Sequence, residues 1–306
     1  MKKVIVVIAI FASFFRANGQ QDVMVSQYMF NGLFLNPAYA GSHKYFSSSL
    51  TYRKQWVNFD GAPTTYLLAV DGPLMNQKMG VGLVISNDKI GVTNQTDIYG
   101  NYSYFLQMGE GKLGFGLKAG VSQYAAKVSD LIVVDANDPT YSAVKKSALI
   151  PKFGFGGYYF TKQWFVGLSI PTLLAADPKE NNSFNMANTA TIRKHYYITA
   201  GYVFKLSSML KLKPTLLIKK EKASPLQTDV SLTAYYMDVV NLGVTYRTKD
   251  AITIMLGAQI NKQFRVGYAY DITTSDIKTY SSGSHEIMLG YIFGKDVLKT
   301  VTPRYF

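Results

Sequence analysis

Phe264-Arg265-Val266-Gly267-Tyr268-Ala269-Tyr270-Asp271 decides the fold. Successive side chains of an extended strand point to opposite faces. Phe264, Val266, Tyr268 and Tyr270 therefore share one face. Arg265, Gly267, Ala269 and Asp271 share the other. In water, the apolar stripe would need a protein core against it. In lipid it needs nothing, and the small and charged face can line a wet interior. The same split recurs along the chain. Leu113, Phe115, Leu117, Ala119 and Val121 oppose Gly114, Gly116, Lys118, Gly120 and Ser122; Val240, Leu242, Val244 and Tyr246 oppose Asn241, Gly243, Thr245 and Arg247. Glycine weakens a strand interior, yet it keeps returning on the inward face, where it relieves crowding and allows the curvature that barrel closure demands.

About fourteen such segments follow, near 44–56, 63–72, 78–87, 95–108, 112–127, 151–160, 163–171, 194–206, 211–219, 227–237, 239–247, 251–260, 263–272 and 284–293. Each can supply the ~9–11 residues of a tilted membrane crossing. Their links alternate between tight and long. Gly109–Gly111, Thr161–Lys162, Asp238 and Asn261–Lys262 are minimal, whereas Val128–Ile150, Thr172–Arg193 and Thr273–Gly283 are long and polar; Thr248–Asp250 breaks the order. One short end and one long end is the habit of an outer-membrane barrel, with turns in the periplasm and loops at the surface. The reading is all-β: a transmembrane up-and-down antiparallel β-barrel with an N-terminal segment outside the sheet. An even strand number puts both termini on the periplasmic side. Pro214 inside a strand predicts a bulge or a register slip, because a closed barrel has no edge to place it on.

Composition agrees. Charged residues make up 17% and aromatics 14% of the 306 residues, and mean hydropathy is +0.03, as expected when lipid-facing and lumen-facing residues alternate. Lys2 and Lys3, the apolar Val4–Phe15 and the small residues of Ala17-Asn18-Gly19 form a secretory signal, with cleavage expected before Gln20. The expected organisation is signal peptide 1–19, periplasmic or plug segment 20–43, barrel 44–293 and periplasmic tail 294–306. The absence of Cys excludes disulfides, thiolate metal sites and lipid attachment. Without Lys2, Lys3 and Arg16, the 32 basic residues fall to 29 against 19 acidic. In an exported chain this excess suits anionic lipid headgroups or an anion-favouring lumen, not nucleic acid. Trp56, Tyr66, Tyr158, Tyr159, Phe160, Trp164, Tyr196, Tyr197, Tyr235 and Tyr236 gather near strand ends, as interfacial girdles do.

Gln20–Ser42 does not alternate. Its Tyr28, Met29, Phe30, Leu33 and Leu35 need a surface: a plug in the lumen, a cap on the periplasmic mouth, or a partner. Gln27-Tyr28-Met29-Phe30-Asn31, followed by Leu35-Asn36-Pro37-Ala38-Tyr39-Ala40-Gly41-Ser42, resembles the opening of the PorP/SprF family. The likeness continues through Tyr52-Arg53-Lys54-Gln55-Trp56, Gly61-Ala62-Pro63-Thr64-Thr65 and Ser86-Asn87-Asp88-Lys89-Ile90-Gly91. Val23 and Gly32 stand where the family commonly has proline. The resemblance implies a non-enzymatic outer-membrane protein of type IX secretion, serving protein secretion and gliding motility. Its implied partners are components of that machine and a secreted protein or adhesin with a C-terminal sorting domain, besides outer-membrane lipid. Gln27, Tyr28, Met29, Phe30, Asn31, Asn36 and Pro37 are the expected partner-binding residues, with the segment facing the periplasm. Val128–Ile150 and Thr172–Arg193 are the loops expected to face cargo.

No catalytic, cofactor or metal site is expected. His43, His195 and His285 are scattered, and Ser284-His285-Glu286 cannot converge because neighbours on a strand point apart. Asp135-Ala136-Asn137-Asp138 could hold Ca²⁺ weakly, though a solvated loop explains it as well. Arg53, Asp71, Lys118, Asp229, Arg247, Arg265 and Asp271 fall on the lumen face. Buried charge is costly alone, so opposite signs should pair across the interior. They either rigidify the barrel or form a conduit or socket. A diffusion porin or anion-selective channel is the alternative function, and a soluble surface β-protein a third.

Overall fold

The computed structural model describes residues 23–127, 145–175, 194–221 and 225–293. Its strands are β1 (Phe46–Lys54), β2 (Thr64–Leu74), β3 (Met79–Ile90), β4 (Thr93–Met108), β5 (Gly111–Lys127), β6 (Lys145–Phe160), β7 (Trp164–Ala175), β8 (His195–Tyr202), β9 (Phe204–Lys205), β10 (Leu210–Glu221), β11 (Gln227–Tyr236), β12 (Val240–Arg247), β13 (Ala251–Gln259), β14 (Phe264–Thr273) and β15 (Ser284–Phe293). Each pairs antiparallel with its neighbours, and β15 returns to β1, from Phe46 opposite Phe293 to Lys54 opposite His285. β10 pairs with β11, so the sheet closes without an edge. It is a 14-stave barrel, since β8 and β9 form one stave.

That stave divides opposite Pro214. Thr215 pairs with Gly201 on one side of the break and Leu212 with Phe204 on the other. These pairings keep one register, so the slip or bulge expected at Pro214 does not occur. Proline lacks the N–H that would bond β8, and the ladder simply lapses there. Pro214 still pairs normally with Leu232 on its other side. The register shift lies instead between β6 and β7, at Phe153 and Phe155. There a Cβ on Gly154 would sit 2.3 Å from the Pro171 carbonyl oxygen.

The alternation holds around the wall. Phe264, Val266 and Tyr268 are exposed outward, while Gly267, Ala269 and Asp271 are buried inward. No helix among the described residues is long and apolar enough to cross a membrane; the crossing is made by strands. The wall is uneven. β4, β5 and β6 run to 16, 17 and 16 residues, whereas β12 has 8 and β13 has 9. The β3–β4 connection is also tight, with Gly91 at φ 54°, because both strands extend past the expected ends at 87 and 95. Most of 128–150 and 172–193, together with the 135–138 loop and the signal segment, lies outside the described residues.

Candidate functional site

The site is the lumen and the segment that fills it. Residues 25–41 enter no strand. They form a 3₁₀ turn at Tyr28–Phe30, one α-helical turn at Gly32–Leu35 and a second 3₁₀ turn at Pro37–Tyr39. Asn36 caps the last turn, its Oδ1 accepting from the Ala38 amide at 2.9 Å. Val25, Tyr28, Met29, Phe30, Leu33, Leu35, Ala38, Tyr39 and Ala40 are buried in one cluster with Leu67, Val84, Tyr158, Met255 and Met288 of the inner wall. The apolar residues without periodicity are thus the core of a plug.

The plug runs the length of the lumen. Ser26 lies near the long-loop end, among Arg53, Asp271 and Glu286. Ala40 lies near the short-turn end, its carbonyl accepting from Ser103 at 2.6 Å. The strand starts and ends at Phe46 and Phe293 share the short-turn end, as expected. The beginning of the described chain does not, since Val23 borders a cavity with Asp97, Lys118 and Lys152. Only the plug's last residues reach the short-turn mouth.

Inward glycines explain how a chain fits inside. An added Cβ would lie 1.9 Å from the Ala40 carbonyl oxygen at Gly80, 2.0 Å from the Ala38 nitrogen at Gly116 and 2.1 Å from Asn36 Oδ1 at Gly156. Curvature was the sequence-based reason for these glycines; close approach of the plug, by its backbone at Gly80 and Gly116 and by the Asn36 side chain at Gly156, is the reason these three positions show.

Charges join plug to wall. Glu286 accepts the Ser26 amide at 2.6 Å and the Gln27 amide at 2.8 Å. Arg53 donates to Asp271 at 2.6 Å and to Glu286 at 3.2 Å. It also donates to Ser26 Oγ at 2.7 Å, which in turn donates to Asp271 at 2.9 Å. Thr253 donates to Asp271 at 2.7 Å. Arg247 pairs with Asp229 at 3.0 Å and with Asp250 at 3.4 Å. Asp71 accepts from the Gly41 amide at 3.0 Å and meets His43 at 2.8 Å. Lys118 lies 3.8 Å over the Tyr99 ring, and Arg265 lies 5.0 Å over Phe30. Charge-assisted bonds of this kind are the stronger ones. Six β-strands and the plug thus converge on Arg53, Asp271 and Arg247.

The structure places Gln27, Tyr28, Met29, Phe30, Asn31, Asn36 and Pro37 inside the barrel, against its own wall. Asn36 donates to the Gly157 carbonyl at 2.9 Å. Tyr28 hydroxyl lies 3.2 Å from Ser231, and burial pushes its phenol up to about 12. Sequence reading missed Glu286 and Ser26. Glu286 could have been found by register, since it faces Arg53 across β1 and β15; Ser26 carries no local signal.

The aromatic girdle needs correction. Tyr66, Trp164, Tyr196 and Tyr236 are exposed outward, and the Tyr159 ring lies tilted against Trp164, 5.0 Å between centroids. Tyr158, Tyr197 and Tyr235 are buried inward, and Phe160 packs on the plug cluster. Adjacent aromatics cannot all meet lipid when alternate positions point inward. Trp56 belongs to neither group: it borders a cavity of about 450 Å³ at the long-loop mouth, with Lys219, Glu221, Leu226, Lys249, Asp250 and Asp276. Beside the plug, the cavities described are about 40 and 30 Å³, room for a few waters at most.

Residues 17–291 match the family described as Type IX secretion system membrane protein PorP/SprF. No curated protein matches the chain. Among solved structures, the outer membrane protein Omp33 of Acinetobacter baumannii is 7% identical, with 83% of this chain and 100% of that chain covered and a TM-score of 0.48. The CymD monoaromatic hydrocarbon channel is 12% identical over 86% and 91%, at 0.49. A Pseudomonas aeruginosa FadL homologue is 11% identical over 86% and 93%, at 0.46. Likeness at this level carries no inference about what the chain does.

Proposed function

The chain belongs to the PorP/SprF family of type IX secretion membrane proteins, and from that membership we propose that it is a cargo-holding barrel of the outer membrane. It engages the C-terminal sorting domain of a secreted protein or adhesin at its long-loop mouth and links that protein to the export and attachment machinery. A leader ending near Gly19 directs it there. The observation that carries this reading is the filled lumen: a barrel whose interior holds its own residues 25–41 has its mouths left for contact with proteins. The cavity of about 450 Å³ falls within the ~300–1,000 Å³ of ordinary binding pockets and supports a seat at that mouth. Residues Gln27–Asn31, Asn36 and Pro37 then act indirectly, by fixing the plug against which a periplasmic component presses near Ala40–Ser42.

Co-purification from native outer membranes tests the cargo half. The cargo is expected to remain bound when intact and to be lost when its sorting domain is deleted. Unchanged recovery after that deletion overturns the reading. In planar bilayers the purified barrel is expected to show no steady open-channel steps; such steps would favour a diffusion pore instead.

A further inference from the structure

Lys54, Lys89, Lys127 and Lys220 fall on the outward register of the described strands, each at or beside the last position of its strand on the long-loop side. The acidic side chains of the described strands, Asp71, Asp88, Asp97, Glu221, Asp229, Asp271 and Glu286, are all buried inward. A wall built only to be greasy has no reason to sort charge by sign and by height.

Part of this rim is a continuous row. His285 pairs with Lys54, Lys54 with Thr64, Thr64 with Lys89, and Lys89 with Asn94, so five adjacent strands present one polar band. Lys54 Nζ donates to Thr64 Oγ1 at 3.2 Å, which holds one ammonium over the middle of the row. Asn94 is tied down by the Asn87 amide at 2.7 Å. One step toward the membrane centre comes an aromatic row, with Tyr52 and Tyr66 rings 5.0 Å apart. Tyr268 beside them reaches up to His285 Nδ1 at 2.6 Å. Cations above and amphipathic rings below are the order of a lipid headgroup above its acyl chains.

We propose that this rim binds the phosphates of a phosphorylated glycolipid in the surface leaflet. Lys54 and Lys89 stand two strands apart, ~10 Å at the usual strand spacing. That separation suits a headgroup bearing two phosphates on a disaccharide, one for each ammonium. The proposal rests on the barrel lying in an outer membrane and is independent of cargo binding.

Native mass spectrometry of the detergent-purified full chain tests it, with bisphosphorylated lipid A, fully dephosphorylated lipid A and phosphatidylglycerol as separate probes. The wild type is expected to retain the bisphosphorylated form about tenfold or more over either other lipid. The double substitution Lys54→Gln and Lys89→Gln is expected to abolish that preference, with barrel closure checked by heat-dependent gel mobility. Equal retention of all three lipids by the wild type, or an undiminished preference in the double variant, overturns the proposal. Should the variant fail to fold, the wild-type comparison decides alone.

Discussion

Glu286 shows how much one side chain can hold. Its two oxygens take consecutive plug amides, and one also takes Arg53. Removing one partner of a buried charged pair leaves the other uncompensated and costs ~3–5 kcal/mol. Glu286→Ala is therefore expected to lower the urea midpoint far more than Glu286→Gln, which keeps an acceptor and loses ~1–3 kcal/mol. Equal midpoints would show that the plug is not anchored here. Gly116 tests the opposite contact. Gly116→Val would drive a side chain into the Ala38 backbone, 2.0 Å from its nitrogen. Expected is a barrel with normal heat-dependent mobility but open-channel steps, because the plug is displaced while the wall is not. The inward charges were legible residue by residue, since a period of two places each on a face. Their pairings were less so: Lys118 over Tyr99 and Arg265 over Phe30 depend on which chain fills the space between them.

Among elements, strands and plug were unequally readable. β14 and β12 announce themselves because lipid solvates one face and polar matter the other, and that contrast is written at every second residue. The plug's pattern is written by the wall. Leu33 is buried against Gly82 and Ala38 against Gly116, partners remote in sequence, so no local rule marks them. The doublets Tyr158-Tyr159 and Tyr235-Tyr236 misled for the same reason, as one ring of each meets lipid and the other meets the interior. Deleting residues 23–42 is expected to leave a heat-modifiable barrel that conducts steadily; failure of the deleted chain to form any barrel would make the plug part of the fold's nucleus. Pro214→Ala is expected to shift stability by less than about 1 kcal/mol, because the register already runs through unbroken.

For the whole molecule, the unequal wall sets one sector apart. The long strands β4–β6 rise on one side, and the short β12 and β13 leave the other side low, where Lys249 and Asp250 border the mouth cavity. The short Thr248–Asp250 link, which breaks the alternation of the sequence, is the rim of that opening. The chain's lack of cysteine makes topology directly measurable. Lys249→Cys is expected to react with a membrane-impermeant maleimide on intact cells, and Lys262→Cys only after the envelope is opened. The reverse pattern would invert the barrel and remove the surface-leaflet argument with it.

Arg53 belongs to the first strand and Glu286 to the last, and they face each other across the join between them. Both also grip Ser26. The join that completes the cylinder and the clamp on its contents are one structure. A substitution at Arg53 or Glu286 therefore reaches the seam of the cylinder and the hold on its occupant together, and neither can be loosened alone at that point.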